Sequence, residues 1–161
     1  MTNSVLSVAN LFLELARREG RPISNMKLQK LLYFAQGHSL GMYGRPIVDE
    51  APEAWQYGPV FPSAYHAFKQ FGAQAIGAPA VDFNPFENKF FPYPQVTDVQ
   101  DVALIEAVWN GYKDRSPIQL SEMSHVTGGP WQRAYGDGSL RNADISFEDM
   151  TDFFSQNTSG Q

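Results

Sequence analysis

The stretch from Lys27 to Pro62 constrains this chain more than any other. Its first half, Leu28-Gln29-Lys30-Leu31-Leu32-Tyr33-Phe34-Ala35-Gln36-Gly37, carries apolar residues at helical spacing. Leu28, Leu31, Leu32, Ala35, Ser39 and Met42 share one face of a helix that Ser24 caps and that Gly44 and Pro46 end. Lys27, Lys30 and Phe34 share another face, which the spacing turns away from the core. The second half, Ala54-Trp55-Gln56-Tyr57-Gly58-Pro59-Val60-Phe61-Pro62, is an aromatic corner whose glycine and prolines forbid a regular continuation. A helix followed by such a corner builds a rigid, recessed surface.

Around this stretch the chain reads as further helices. Val5, Val8, Leu11, Phe12 and Leu15 give the stripe of a first helix over residues 4–19, stopped by Gly20 and Pro22. Pro46-Ile47-Val48 and Ala54-Trp55-Gln56-Tyr57 flank a turn-rich segment and predict a small hairpin or an extended pair, with Trp55 and Tyr57 on one face. Pro62 and Ser63 open a third helix carrying Ala64, Tyr65, Phe68 and Phe71. Thr97 with Gln100 caps a fourth from Asp98 to Tyr112, and Ser116 with Gln119 caps a fifth from Pro117 to Ser124. Pro130 starts a short helix through Tyr135, and Ser146 with Asp149 caps a last turn or two.

Residues 72–96 differ: Pro79, Pro85, Pro92 and Pro94 punctuate a run holding Phe83, Phe86, Phe90, Phe91 and Tyr93. The expectation is an ordered loop whose rings plug the core, the alternative being a functional loop. The fold class expected is mainly α, a compact single domain of about five to seven helices with a small β-hairpin. That domain covers residues 1–155, and a flexible tail covers 156–161.

Composition narrows the function. The 161 residues suit one domain. Aromatics stand at 14% and charged residues at 18%, below the roughly 25% charge usual in soluble proteins. A ring-rich, charge-poor chain has a bulky core or keeps rings where a partner covers them. The net charge of −5 argues against nucleic acid and favours a partner with a basic surface. The chain has no Cys, which excludes disulfides and thiol chemistry and fits a reducing cytoplasm. No apolar run approaches the roughly 18 residues that a membrane span needs.

Catalytic and metal chemistry find little support. His38, His66 and His125 lack the spacing of a metal site, and no cofactor is implied. Glu122 and His125 lie at i, i+3 near Ser121 and Ser124, the best material for a hydrolase. No Gly-x-Ser-x-Gly elbow accompanies them, and neighbours on one short helix do not converge on a substrate atom. The sequence therefore argues against an enzyme.

The helix from Leu28 to Gly37 followed by Ala54-Trp55-Gln56-Tyr57-Gly58-Pro59-Val60 resembles the Panacea domain, the antitoxin domain that includes SocA-like proteins of prophages and other genetic elements. Leu120-Ser121, Ser124-His125 and Pro130-Trp131 match that family's helix ending in His, then Pro-Trp. The Gly128-Gly129 context and the aromatic 72–96 segment depart from its pattern. The resemblance implies an antitoxin that neutralises a cognate toxin by direct protein–protein binding. An adaptor delivering the toxin to a cellular protease is the alternative.

The expected partner-binding residues are Lys27, Lys30, Phe34, Trp55, Tyr57 and Pro59. For Lys30 the bland alternative is a structural pair with Asp49, Glu50 or Glu53; for Trp55 it is a core wedge orienting the third helix. Tyr57 is the better surface anchor. His125, Pro130 and Trp131 form a structural motif, His125 favouring the helix dipole when protonated and ordering the turn beneath Trp131.

Overall fold

A computed structural model describes residues 2–159. The first helix, α1 (Val5–Arg18), starts at Ser4, whose hydroxyl accepts the Leu6 N–H at 3.2 Å. The second, α2 (Asn25–Tyr43), is capped by Ser24 and ends where Gly44 turns left-handed at φ 66°. Both boundaries of α2 follow the sequence signals.

Its surroundings do not. Every residue from Leu28 to Gly37 is buried. The helix is wrapped by α1, by β2 (Gly58–Val60) and α3 (Pro62–Phe68), and by α4 (Val99–Tyr112), α5 (Pro117–Ser124) and α7 (Phe147–Ser159). The amphipathic reading of α2 is corrected accordingly: no solvated face exists along its middle.

The hairpin also has a different register. β1 (Glu53–Trp55) pairs antiparallel with β2 across the two-residue turn Gln56-Tyr57, Trp55 opposite Gly58. Gly58 at φ +118° makes that turn possible. Ile47 and Val48 are no hairpin arm; they lie buried along α2. A third strand, β5 (Ala143–Asp144), pairs with β1 and completes a sheet of order β2-β1-β5.

Residues 72–96 meet the core-plug expectation only at Tyr93, which packs half-buried against the core. They contain β3 (Val81–Asn84) and β4 (Lys89–Pro92), an antiparallel hairpin whose Phe83, Phe86, Phe90 and Phe91 are all exposed. Only its base is tied down. Asn10 of α1 accepts the Ala80 N–H at 2.8 Å and donates to the Ala80 carbonyl at 3.0 Å.

Helix α4 is capped by Asp98, whose carboxylate accepts the Asp101 N–H, in place of the expected Thr97–Gln100 box. Buried Asp101 in turn accepts from Arg45 at 2.8 Å and Asn3 at 3.0 Å, which joins three distant segments. The Ser116–Gln119 box of α5 forms as expected, and α6 (Pro130–Tyr135) follows. Helix α7 is longer than the turn or two expected, and the tail expected from Gln156 begins as its last turn. Gly160 and Gln161 lie outside the described residues. The result is mainly α, seven helices with two small antiparallel sheets among the described residues. None of these helices is long and apolar enough to cross a membrane.

Gly37 and Gly41, one turn apart on α2, cut a groove into which α7 presses Phe154. A Cβ at Gly41 sits 2.7 Å from the Phe154 carbonyl carbon, so backbone and not merely a ring must move. Gly41→Ala is expected to destabilise the fold by about 1–3 kcal/mol despite alanine's better helix propensity. Urea denaturation reads it; unchanged or increased stability would show that α7 does not seat on α2 this closely.

Candidate functional site

The polar residues of α2 organise the candidate site. The Gln29 carbonyl oxygen accepts the Phe61 N–H at 2.9 Å, and the Lys30 Nζ donates to the Pro59 carbonyl at 3.1 Å. These bonds hold β2 against the helix. The turn before it is fixed from the other side, where the Ser121 hydroxyl of α5 donates to the Tyr57 carbonyl at 2.6 Å. The Trp131 indole N–H donates to the Trp55 carbonyl at 2.8 Å. Between the start of α2, this hairpin, α3 and the turn after α6 lies a cleft of about 960 Å³. Met26, Trp55, Tyr57, Tyr65, Ile118 and Tyr135 give it an apolar lining.

The six expected partner residues are scattered by this geometry. Tyr57 stands at the cleft lip, 67% exposed, on a backbone held from two sides. Trp55 is half-buried, edge-on to Tyr65 with ring centres 4.9 Å apart, and its N–H donates to Glu53. Lys30 belongs to the cleft floor and is only 1% exposed. Pro59 is buried and offers Lys30 its carbonyl.

Phe34 lies in the core, stacked on Tyr112 at 4.4 Å, and Lys27 is half-buried with its ammonium on the Lys113 carbonyl at the end of α4. The surface patch expected of Lys27, Lys30 and Phe34 is therefore not formed: one side chain closes a helix end, one lies under a cleft, and one fills the core.

Lys30 is the chemically unusual member. No described carboxylate lies within ion-pair distance, so the pair expected with Asp49, Glu50 or Glu53 is absent. Burial pushes its pKa down from the ordinary 10.5 to about 8. Keeping the charge at neutral pH then costs the fold on the order of 3 kcal/mol. Gly58 leaves room for the chain, because a Cβ there sits 2.6 Å from Lys30 Cε.

His125 closes α5 and stacks flat on Trp131, ring centres 3.8 Å apart, and Trp131 stacks on Tyr135 at 4.5 Å. Pro130 is buried at the start of α6. Burial, and then the Lys30 charge, hold the His125 pKa below the ordinary 6.5. That shift disfavours the protonated form on which the expected dipole role depends. Its Nε2 is buried without a hydrogen-bond partner among the described residues. Glu122 is exposed, and the Ser124 hydroxyl donates to the Ser121 carbonyl, so Ser121, Ser124 and His125 form no catalytic relay.

The family described as "Antitoxin SocA-like, Panacea domain" matches residues 28–132. A curated relative from Caulobacter vibrioides (strain NA1000 / CB15N), named Antitoxin SocA, is 40% identical over 127 residues, 78% of this chain and 66% of its own length. This chain belongs to the SocA-like Panacea family. No solved structure matches it. The Panacea match takes in Lys30, the Trp55 hairpin and the His125–Trp131 stack, but neither α7 nor the turn after α6. Helix α1, which packs on α2 and α4, lies outside the match as well. Lys69 and Arg141 also line the Panacea cleft. Neither was expected from the sequence: Lys69 is a lone cation between Phe68 and Phe71, Arg141 one in a turn-rich run, and only folding brings them to the cleft.

Lys30→Met, which keeps the length and drops the charge, is expected to raise unfolding free energy at about pH 7 by about 1–3 kcal/mol, the lost bond to Pro59 offsetting part of the gain. Folded Lys30 releases its proton near 8, and the unfolded side chain near about 10.4. Between those values the unfolded state binds more protons, so wild-type stability climbs and the advantage of the variant shrinks. Urea melts at about pH 7 and about pH 10 measure this; a variant less stable at the lower pH would mark the ammonium as a structural tie.

Proposed function

We propose that this chain is an antitoxin that neutralises a toxin by direct protein–protein binding at the cleft, within the cytoplasm. The observation that carries the reading is Tyr57: a large, mostly exposed ring at the lip of an apolar cleft, on backbone anchored by Ser121 and by strand pairing. An exposed aromatic held rigid loses little entropy on binding, which is what an interface anchor needs. The 40% identity to a protein named Antitoxin SocA supports the same role. No covalent step belongs to this reading, since the Ser121 and Ser124 hydroxyls are committed to backbone carbonyls.

The adaptor reading, in which the toxin is handed to a protease, draws on a different feature. The exposed rings of the β3–β4 hairpin form a second apolar surface, built from residues that do not line the cleft. An adaptor needs two such surfaces. Toxin half-life with and without the protein separates the readings: unchanged half-life with full neutralisation excludes delivery to a protease.

Tyr57→Ala is expected to lose neutralisation of the toxin encoded by the neighbouring reading frame, with affinity reduced about tenfold or more. Its circular dichroism is expected to match wild type, because the ring is exposed and the tie to Ser121 is through the backbone. Full protection by this variant in a growth assay would remove the cleft lip from the interface.

A further inference from the structure

The charge of the cleft runs against the charge of the chain. The protein carries 12 Lys and Arg against 17 Asp and Glu. Most of the arginines are paired: Arg17 and Arg18 with Glu14, Arg21 with Asp114, Arg45 with Asp101 and Arg133 with Asp149, while Lys113 pairs with Glu19. Lys27, Lys30, Lys69, Lys89, Arg115 and Arg141 have no described carboxylate within ion-pair distance, and Lys30, Lys69 and Arg141 of these line one cleft. The single carboxylate in the lining, Asp137, already accepts the Ser139 N–H.

Lys30 gives this clustering its meaning. Its ammonium has three donors and one acceptor, the Pro59 carbonyl. A buried ammonium with one acceptor and no ion pair among the described residues keeps donor capacity for a ligand's carboxylate. Beside it, Met26, Trp55 and Tyr65 offer apolar surface on the same lining. An aliphatic or aromatic side chain flanked by carboxylates fits that combination. A basic segment, which the overall charge of −5 alone favours, meets three unpaired cations there.

We propose that the cleft takes an acidic segment of the partner polypeptide, with one carboxylate drawn toward Lys30, flanking negative charge met by Lys69 and Arg141, and an apolar side chain laid against Trp55 and Tyr65. The proposal rests on the antitoxin reading and names the chemistry by which the toxin is recognised.

The test uses the full chain and the purified product of the neighbouring reading frame. Isothermal titration is run on wild type, Lys30→Met and the surface double variant Lys69→Ala/Arg141→Ala. Both variants are expected to lose about tenfold or more in affinity, the double variant with a flatter salt dependence. Overlapping labelled peptides from that product are then measured by fluorescence anisotropy. Acidic peptides are expected to bind, and the same peptides with Asn and Gln for Asp and Glu are expected not to.

No binding by the wild type sinks the antitoxin reading itself. Wild-type binding that neither variant weakens leaves that reading standing and overturns the acidic segment. Tightest binding by neutral or basic peptides overturns it as well, as does displacement of the partner by ATP or inorganic phosphate, which assigns the cations to a small anion.

Discussion

Residues 45–61 run beside α2 with little sheet of their own, and the polar side chains of α2 supply the hydrogen bonds a neighbouring strand would otherwise give. The Gln36 carboxamide accepts from the Ile47 and Val48 amides at 2.9 and 3.1 Å and donates to the Val48 carbonyl at 3.1 Å. Ser39 donates to the Arg45 carbonyl, Lys30 to Pro59, and Gln29 accepts from Phe61. Gln29 also donates to Asn25, which reaches the Tyr65 carbonyl of α3. Each bond is made at a buried or nearly buried site, where an unmatched partner costs about 1–3 kcal/mol. The hairpin turn, the cleft lip and the position of α3 all depend on this row.

That row also explains what the sequence could and could not disclose. Signals that act on backbone within a few residues read true: the Ser24 cap, Gly44 at the end of α2, and the Ser116–Gln119 box. The amphipathic reading of α2 went wrong because it treats a polar residue as a solvent-facing one. Gln29, Lys30 and Gln36 are polar and buried, their partners being carbonyls and amides of a segment up to about 30 residues away that periodicity does not see. The aromatic segment failed in the opposite sense. Rings are buried on average, but four-residue strands between prolines bring no facing surface to bury them, so Phe86 ends 97% exposed.

Of the candidate site, the aromatic corner was legible; the pairing of its strands and the cleft were not. Trp55, Tyr57 and Gly58 announce a corner by their types alone. Tyr57 reached the surface by a route different from the one expected, in a two-residue turn and not on a strand face shared with Trp55. Lys69, Tyr135 and Arg141 come from three separate segments, and nothing in their local sequence says that they will converge.

A cluster of unpaired cations in an acidic protein does more than attract. The net negative charge of the chain opposes an acidic partner at long range, and the three unpaired cations of the cleft lining counter it locally. Such a distribution orients an encounter before contact, and its effect reaches about 8 Å from the rim at physiological salt. Lys30 acts over a shorter range but in a drier place, where the same charge interacts more strongly. Rim cations would govern how fast the partner arrives and Lys30 how long it stays. Were a partner carboxylate to reach Lys30, it would return part of the desolvation cost of that buried charge, and the complex would then stabilise the fold.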